Sequence, residues 1–171
     1  MAEGTALRLN LGCGRKPLAG FTNVDFVQRE GVDLVHDLTQ PLPFSGADEI
    51  HAYHLFEHFY RWECEAILKN WVDALKPGGL LVLEMPCLDK VLSLFQHHMQ
   101  KRIPIGPWVV WGLFGDPSHK DPAMCHRWCY STSEIRQLMQ QAGLQVEVKE
   151  PLTHVPVRDM RLEGRKGVVI V

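Results

Sequence analysis

Gly12-Cys13-Gly14 follows directly on the alternating run Leu7-Arg-Leu-Asn-Leu11. Two glycines at that spacing let the main chain approach a ligand with no Cβ in the way and turn amide N–H groups toward it. Alone, the pair reads equally well as an ordinary strand-to-loop turn. Asp25 and Asp37 change that balance. Each stands at or just past the end of a further short apolar run, and the carboxyl ends of adjacent parallel strands open into one crevice, where a carboxylate can accept two hydrogen bonds from a ribose diol. Two nucleotide classes fall away. The third position of a G-x-G-x-x-G run is Pro17, and Asp25 comes thirteen residues after Gly12 rather than about twenty, which disfavours nicotinamide and flavin dinucleotides. No G-x-x-x-x-G-K-S/T run is present for ATP or GTP.

Among nine histidines, His54 stands where a fourth strand opens into the same crevice, and His58 follows on the next helix. Imidazole is the natural base near neutral pH, so both are candidate catalytic groups, although His58 fits a packing or capping role as well. His54-Leu-Phe-Glu57-His58 also matches H-x-x-E-H, the inverted zinc-protease signature. That chemistry needs the motif inside a helix and a third ligand later in the chain, whereas here the motif begins straight after a strand, so the protease reading is set aside. Cys125-His-Arg-Trp-Cys129 has a C-x3-C spacing that suits structural zinc poorly, and no second pair follows. No metal is expected.

The elements that must hold these residues follow from periodicity. Short strands are predicted at 7–11, 22–26, 32–35 and 49–53, then a helical period over 55–75 with a break near Tyr60, ended by Lys76-Pro-Gly-Gly79. A continuous apolar strand over 80–85 reads as covered on both faces. Ser131-Thr-Ser-Glu134 forms a capping box before a helix that Gly143 stops; 145–150 alternates as a strand, and 159–171 supplies one or two more. The order predicts an α/β, Rossmann-like, mostly parallel sheet of about seven strands with flanking helices. Ten residues separate Leu11 from Thr22 and five separate Phe26 from Val32, so the first crossovers must be shortened.

At 171 residues the chain is one domain, 1–171, with room for an insertion. Hydrophobic residues at 46% and charged residues at 22% are globular values, and a net charge of -2 provides no global field toward nucleic acid or anionic lipid. The first residues lack the apolar core of a secretory signal, and the apolar segment 103–114 is too short and too rich in Pro and Gly to span a bilayer. With five cysteines, an odd set, free thiols in a cytoplasmic protein are the expectation.

Leu9-Asn-Leu-Gly-Cys-Gly14, Asn23-Val-Asp25, His36-Asp-Leu38, Pro41-Leu-Pro-Phe44, Asp48-Glu-Ile50, Glu57-His58 and Leu75-Lys-Pro-Gly-Gly79, in this order, resemble the class I S-adenosylmethionine-dependent methyltransferases. The likeness is nearest to small bacterial and phage members with an N-L-G-C-G first motif. It covers 7–86 well and resumes more loosely over 130–166. The resemblance implies S-adenosylmethionine as cofactor, held by Asn10, Leu11, Gly12, Cys13, Gly14, Asp25, Phe26, Asp37, Leu38 and His54. Gly12 and Gly14 would approach its methionine part and Asp25 the ribose, Asp37 with Leu38 would meet the adenine, and His54 would lie below the sulfonium. The family often carries an acidic residue where Asn10 stands and a third glycine where Lys16 stands. Tyr53-His-Leu-Phe56 occupies the place of the Asn/Asp-Pro-Pro-aromatic turn of enzymes that methylate base amines, which argues against that acceptor.

About forty residues at 87–130 exceed what a minimal sheet of this kind needs and are expected to form the acceptor lid. Within it, His119, His126, Arg127 and Trp128 are the candidate substrate contacts. Trp108 and Trp111 complete the core or make a dimer contact equally well, and 103–114 is the segment through which an oligomer would form. The expected partner is a small-molecule or sugar acceptor, with no membrane and no nucleic acid. A non-catalytic module holding the cofactor or a partner chain on the same fold is the alternative, and aminopropyl transfer lacks a convincing set of extra carboxylates.

Overall fold

The computed structural model describes residues 6–168. Strands β1 (Arg8–Leu11), β2 (Thr22–Asp25), β3 (Leu34–Val35), β4 (Ala47–Tyr53), β5 (Leu75–Pro86), β6 (Leu144–Lys149) and β7 (Asp159–Lys166) form one sheet in the order 3-2-1-4-5-7-6. All neighbours from β3 to β5 run parallel, and β7 lies antiparallel between β5 and β6. The helices are α1 (Cys64–Ala74), α2 (Leu88–Lys101), α3 (Pro107–Phe114) and α4 (Thr132–Gln141). None of them, among the described residues, is long and apolar enough to cross a membrane. The tail of the expected last strand, 169–171, and the leader reading at 1–5 lie outside the described residues.

No helix separates the first four strands, as the short crossovers require, and polar side chains do the covering. Leu9 and Leu11 alternate with Asn10, and Val24 with Asn23; the leucines and the valine join the core while both asparagines are buried. Asn23 Oδ1 accepts from the Leu18 amide (2.7 Å) and from Asn10 Nδ2 (2.9 Å), and its Nδ2 donates to the Leu18 and Phe21 carbonyls, each at 3.2 Å. Asp33 Oδ2 in turn accepts from the Asn23 amide (2.7 Å). A loop packed on a sheet has no internal ladder for its backbone groups, so a side-chain amide that donates and accepts supplies the missing partners.

The expected helix over 55–75 is two pieces. A 3-10 turn at Phe56–His58 ends at Phe59 in extended conformation, and α1 begins only at Cys64. Its buried face, Ile67, Leu68, Trp71 and Val72, joins Phe56 and Tyr130 in the core, and Trp71 Nε1–H donates to the Leu38 carbonyl at 3.1 Å. The Lys76-Pro-Gly-Gly79 turn is drawn into β5, whose register against β4 shifts between Ala47 and Glu49. A Cβ at Gly79 would lie 2.8 Å from the Ala47 carbonyl, so only glycine allows that approach. The capping box at α4 forms by half: Ser131 Oγ accepts from the Glu134 amide (3.1 Å), but the Glu134 carboxylate pairs with Arg61 Nε (2.8 Å) instead of returning to Ser131.

Candidate active site at the carboxyl edge of the sheet

Gly12 and Gly14 take φ of +63° and +54°, left-handed values that favour glycine. The expectation that their amides stand free is corrected by the structure. Gly12 and Cys13 both donate to the Val24 carbonyl (2.8 and 3.2 Å), and Gly14 donates to Asp25 Oδ2 at 2.8 Å. These bonds lock the turn to β2. Asp25 is buried, its Oδ1 accepting from the Val27 amide (3.0 Å) with Arg29 Nη1 at 3.9 Å.

The fit to the implied cofactor can be tested on these atoms. Each Asp25 oxygen has one backbone donor and therefore a lone pair left for a hydroxyl. A Cβ built on Gly14 meets nothing within 4 Å, so bare main chain faces open space there, while one on Gly12 would lie 2.6 Å from Leu55 Cδ1. The turn and its carboxylate therefore suit an amino-acid tail and a sugar diol, with Leu55 leaning over Gly12. A hollow of about 700 Å³ beside the turn is lined by Arg15, Pro17, Arg29, Glu30 and Gly31.

The other expected cofactor contacts are placed unevenly. Asn10, Leu11 and Cys13 are buried in or behind the turn, and burial followed by the Asp25 charge pushes the Cys13 thiol up. Phe26 is 58% exposed beside Asp25. Asp37 is exposed and accepts from the Thr39 amide (3.0 Å) and hydroxyl (2.8 Å), which hold its carboxyl below the usual range. Leu38 packs into the hydrophobic core, so its side chain does not line an adenine site.

His54 directly follows β4 with a φ of +49°. Its Nδ1 lies 3.2 Å from Glu57 Oε1 and its Nε2 3.3 Å from Asp159 Oδ2, and its ring lies against that of His154, tilted by 31° with centroids 4.0 Å apart. Burial alone would lower its pKa, but the two carboxylates outweigh burial and raise it to about 9. In that charged form the imidazole has no lone pair with which to accept a proton. The same contacts overcome burial at the carboxylates, holding Glu57 at about 2 and, with Arg158 as a second partner, Asp159 also at about 2.

Asp159, Arg158, His154, Lys16 and Glu84 were not singled out by spacing. Arg158 grips Asp159 through Nε (2.7 Å) and Nη2 (3.2 Å) and donates from Nη1 to the Trp108 carbonyl (2.9 Å), tying α3 to β7. Lys16 of the glycine turn meets His154 Nε2 at 3.0 Å. Partial burial, then the charges of His54 and Lys16, push His154 down to about 4. The loop carrying His154 is pinned by Glu84, a buried carboxylate on β5 that accepts from the Leu152 amide (3.0 Å), the Thr153 amide (2.6 Å) and the Thr153 hydroxyl. A lone acid inside an otherwise apolar strand was the available signal for Glu84.

Of the expected substrate contacts, the structure brings His126 and Arg127 to this edge. The Arg127 amide donates to the Glu57 carbonyl (2.8 Å), its Nη1 donates to the His58 carbonyl (3.1 Å), and His126 Nε2 lies 3.9 Å from Glu57 Oε1. Trp128, exposed, turns to Glu134 (3.3 Å), and His119 lies exposed on the turn Pro117–His119. An apolar cavity of about 720 Å³ lies within the segment 105–125, between α3 residues such as Val110 and Trp111 and the following turns as far as Cys125.

His54 and His58 are not paired on one helix, since His54 stands outside the 3-10 turn, so the arrangement is not that of an inverted zinc protease.

A family model described as a methyltransferase domain matches residues 8–148. A comparison with curated protein sequences finds no match. Among solved structures, the chain is similar to an S-adenosylmethionine-dependent methyltransferase from Archaeoglobus fulgidus, with a TM-score of 0.64 at 15% identity over 95% of this chain and 87% of that one. It is similar also to magnesium protoporphyrin IX methyltransferase from Synechocystis with bound S-adenosylhomocysteine, with a TM-score of 0.61 at 13% identity over 95% and 74% of the two chains. A Haloferax volcanii methyltransferase solved with its Trm112 activator gives a TM-score of 0.59 at 17% identity over 95% and 83%. Identities this low carry the shared fold, and the matched model carries membership: the chain belongs to the methyltransferase domain family, as a class I S-adenosylmethionine-dependent methyltransferase.

Proposed function

We propose that the chain transfers the methyl group to a small, partly apolar acceptor held by the insertion 87–130, with the cofactor in the crevice above β1, β2 and β4. One observation carries this reading. The apolar cavity of the insertion ends at Cys125, and the next two residues, His126 and Arg127, are joined to Glu57 and His58 at the end of β4. The segment 125–127 thus links the wall of that cavity to the end of β4, which supports an acceptor held by the insertion.

Bound S-adenosylmethionine supplies a methyl group already activated on a sulfonium. The protein's share is placement, bringing a nucleophile to about 3–3.5 Å of the methyl with water kept away. Gly14 offers open main chain to the amino-acid tail and Asp25 its two spare lone pairs to the ribose hydroxyls. His54, held between Glu57 and Asp159, acts as a positioning residue that fixes the floor of the crevice. With no free imidazole at His54, the favoured acceptor is one that is nucleophilic without a strong base, such as an amine, a thiolate or an ionised hydroxyl.

Calorimetry with S-adenosylhomocysteine tests the first half. Two charge-assisted bonds from Asp25, at about 1.5 kcal/mol each, give about 3 kcal/mol, so Asp25→Ala should bind about 150-fold more weakly. Unchanged affinity would remove Asp25 from the site. Turnover of amine, thiol and phenol panels, lost on filling the cavity by Val110→Trp while S-adenosylhomocysteine still binds, tests the second.

A further inference from the structure

Glu57 is fully buried, yet neither carboxylate oxygen has a hydrogen-bond partner among the described residues; His54 Nδ1 stands at ion-pair distance, out of hydrogen-bonding alignment. The His54 ion pair offsets the charge, but a buried carboxylate with no hydrogen bond on either oxygen is costly and has lone pairs left for a further partner. Two histidines stand beside it. One ligand atom each from Glu57, His58 and His126 lie within 4.8 Å of one another, and the two imidazole rings are 4.9 Å apart, edge to face.

The histidines are prepared in the same way. His58 Nδ1 lies 3.2 Å from the Cys125 carbonyl and His126 Nδ1 lies 3.2 Å from the Gly112 carbonyl, so each Nδ1 is set as the donor and each Nε2 keeps its lone pair. Fixing the tautomer through a carbonyl on the far nitrogen is how protein scaffolds orient metal-binding imidazoles. We propose that Glu57, His58 and His126 form a site for a divalent cation of the zinc class, which fastens the insertion to the end of β4. One carboxylate and two imidazoles suit that ion, and short side-chain rotations would bring the three atoms to the roughly 2.0–2.2 Å bonds it requires. Three protein ligands leave the fourth tetrahedral position to water or to a ligand from outside.

The site joins chain segments that no local structure connects, since His126 lies 68 positions after His58. The cation supplies the partner that the Glu57 oxygens lack and ties 112–126 to 54–58 by its bonds. It is therefore read through the metal itself and not through turnover.

The full-length chain, stripped with chelator and exchanged into metal-free buffer, is titrated with zinc chloride and assayed for bound metal. One zinc per chain is expected, with a rise in unfolding temperature, and cobalt chloride should give the visible bands of a tetrahedral site. His58→Ala and His126→Ala should each weaken zinc by at least about 100-fold, whereas His119→Ala, an exposed histidine of the same insertion, should bind as the parent chain does. Circular dichroism of the variants excludes misfolding as the cause, and the cobalt spectrum of the unaltered chain stands without any variant. Less than stoichiometric zinc, octahedral cobalt bands, or equal binding by all three variants would overturn the proposal. S-adenosylhomocysteine calorimetry on the same samples reads the methyltransferase site separately, so failure of one is distinguishable from failure of the other.

Discussion

Glu84→Gln is a probe of how the crevice is closed. Glu84 accepts from the amides of Leu152 and Thr153 and from the Thr153 hydroxyl, and Arg161 Nη1 approaches it at 3.4 Å. The substitution turns one oxygen into a donor that faces other donors, so at least one charge-assisted bond is lost and the rest weaken. At about 1.5–3 kcal/mol for each bond to a charged group, two affected bonds give about 3–6 kcal/mol. Two observations place the result at the lower end. Leu152 is exposed, so its amide can be rehydrated, and Arg161 keeps its two bonds to Glu163 Oε1 at 2.9 and 2.8 Å. A loss of about 3 kcal/mol is expected, a fall of about 6–12 °C in Tm for a chain of this size. Amide hydrogen exchange locates it: protection at Leu152 and Thr153 should fall well beyond what the global change explains, while Leu81 and Leu83 in the same strand should follow the global change alone. Retained protection at Leu152 and Thr153 would refute the idea that Glu84 pins this loop.

Two further outcomes follow from the same geometry. Gly12→Ala forces a left-handed φ on a residue with a Cβ and sets that Cβ 2.6 Å from Leu55 Cδ1. Urea unfolding should show a loss of about 1–2 kcal/mol from the backbone alone, and calorimetry a weaker hold on S-adenosylhomocysteine; a neutral substitution would mean that the turn relaxes. Asp159 has its carboxyl held at about 2, below its ordinary value of 3.8, burial being outweighed by His54 and Arg158. A lowered folded-state pKa gives stability that is complete above the ordinary value and is lost as the pH falls through 3.8 toward 2. Denaturant midpoints taken from pH 5 to pH 2 should fall more steeply in the parent chain than in Asp159→Asn, and parallel curves would contradict the assignment.

The glycine turn, the order of elements and the shortened crossovers were legible because each is local: alternation, a glycine pair, a count of residues between strands. The aspartate at the end of β2 was legible for the same reason, since strand order alone puts it beside the turn. What escaped is what depends on chain segments meeting. Leu38 follows a strand in the place of an adenine contact, yet its side chain serves the core beneath Trp71. His54 has the position of a base, but Asp159 arrives from the far end of the chain to hold it charged. The break between the 3-10 turn and α1 followed a sequence hint near Tyr60, whereas α3 was hidden because an all-apolar run has no periodic face to read.

The asparagine seam behind β1 and β2 has a consequence for how the molecule comes apart. Where helices would bury apolar area that water cannot replace, this half is sealed by amide-to-carbonyl bonds that solvent can substitute at small cost. Its opening free energy should accordingly lie below that of the helix-clad half, making it the first unit to breathe. A molecule bound to Gly14 and Asp25 would span two strands of that weaker unit, and occupancy at a hundredfold over Kd adds about 2.7 kcal/mol against its opening. Methyl donor supply would thus tune the lifetime of the enzyme as well as its rate.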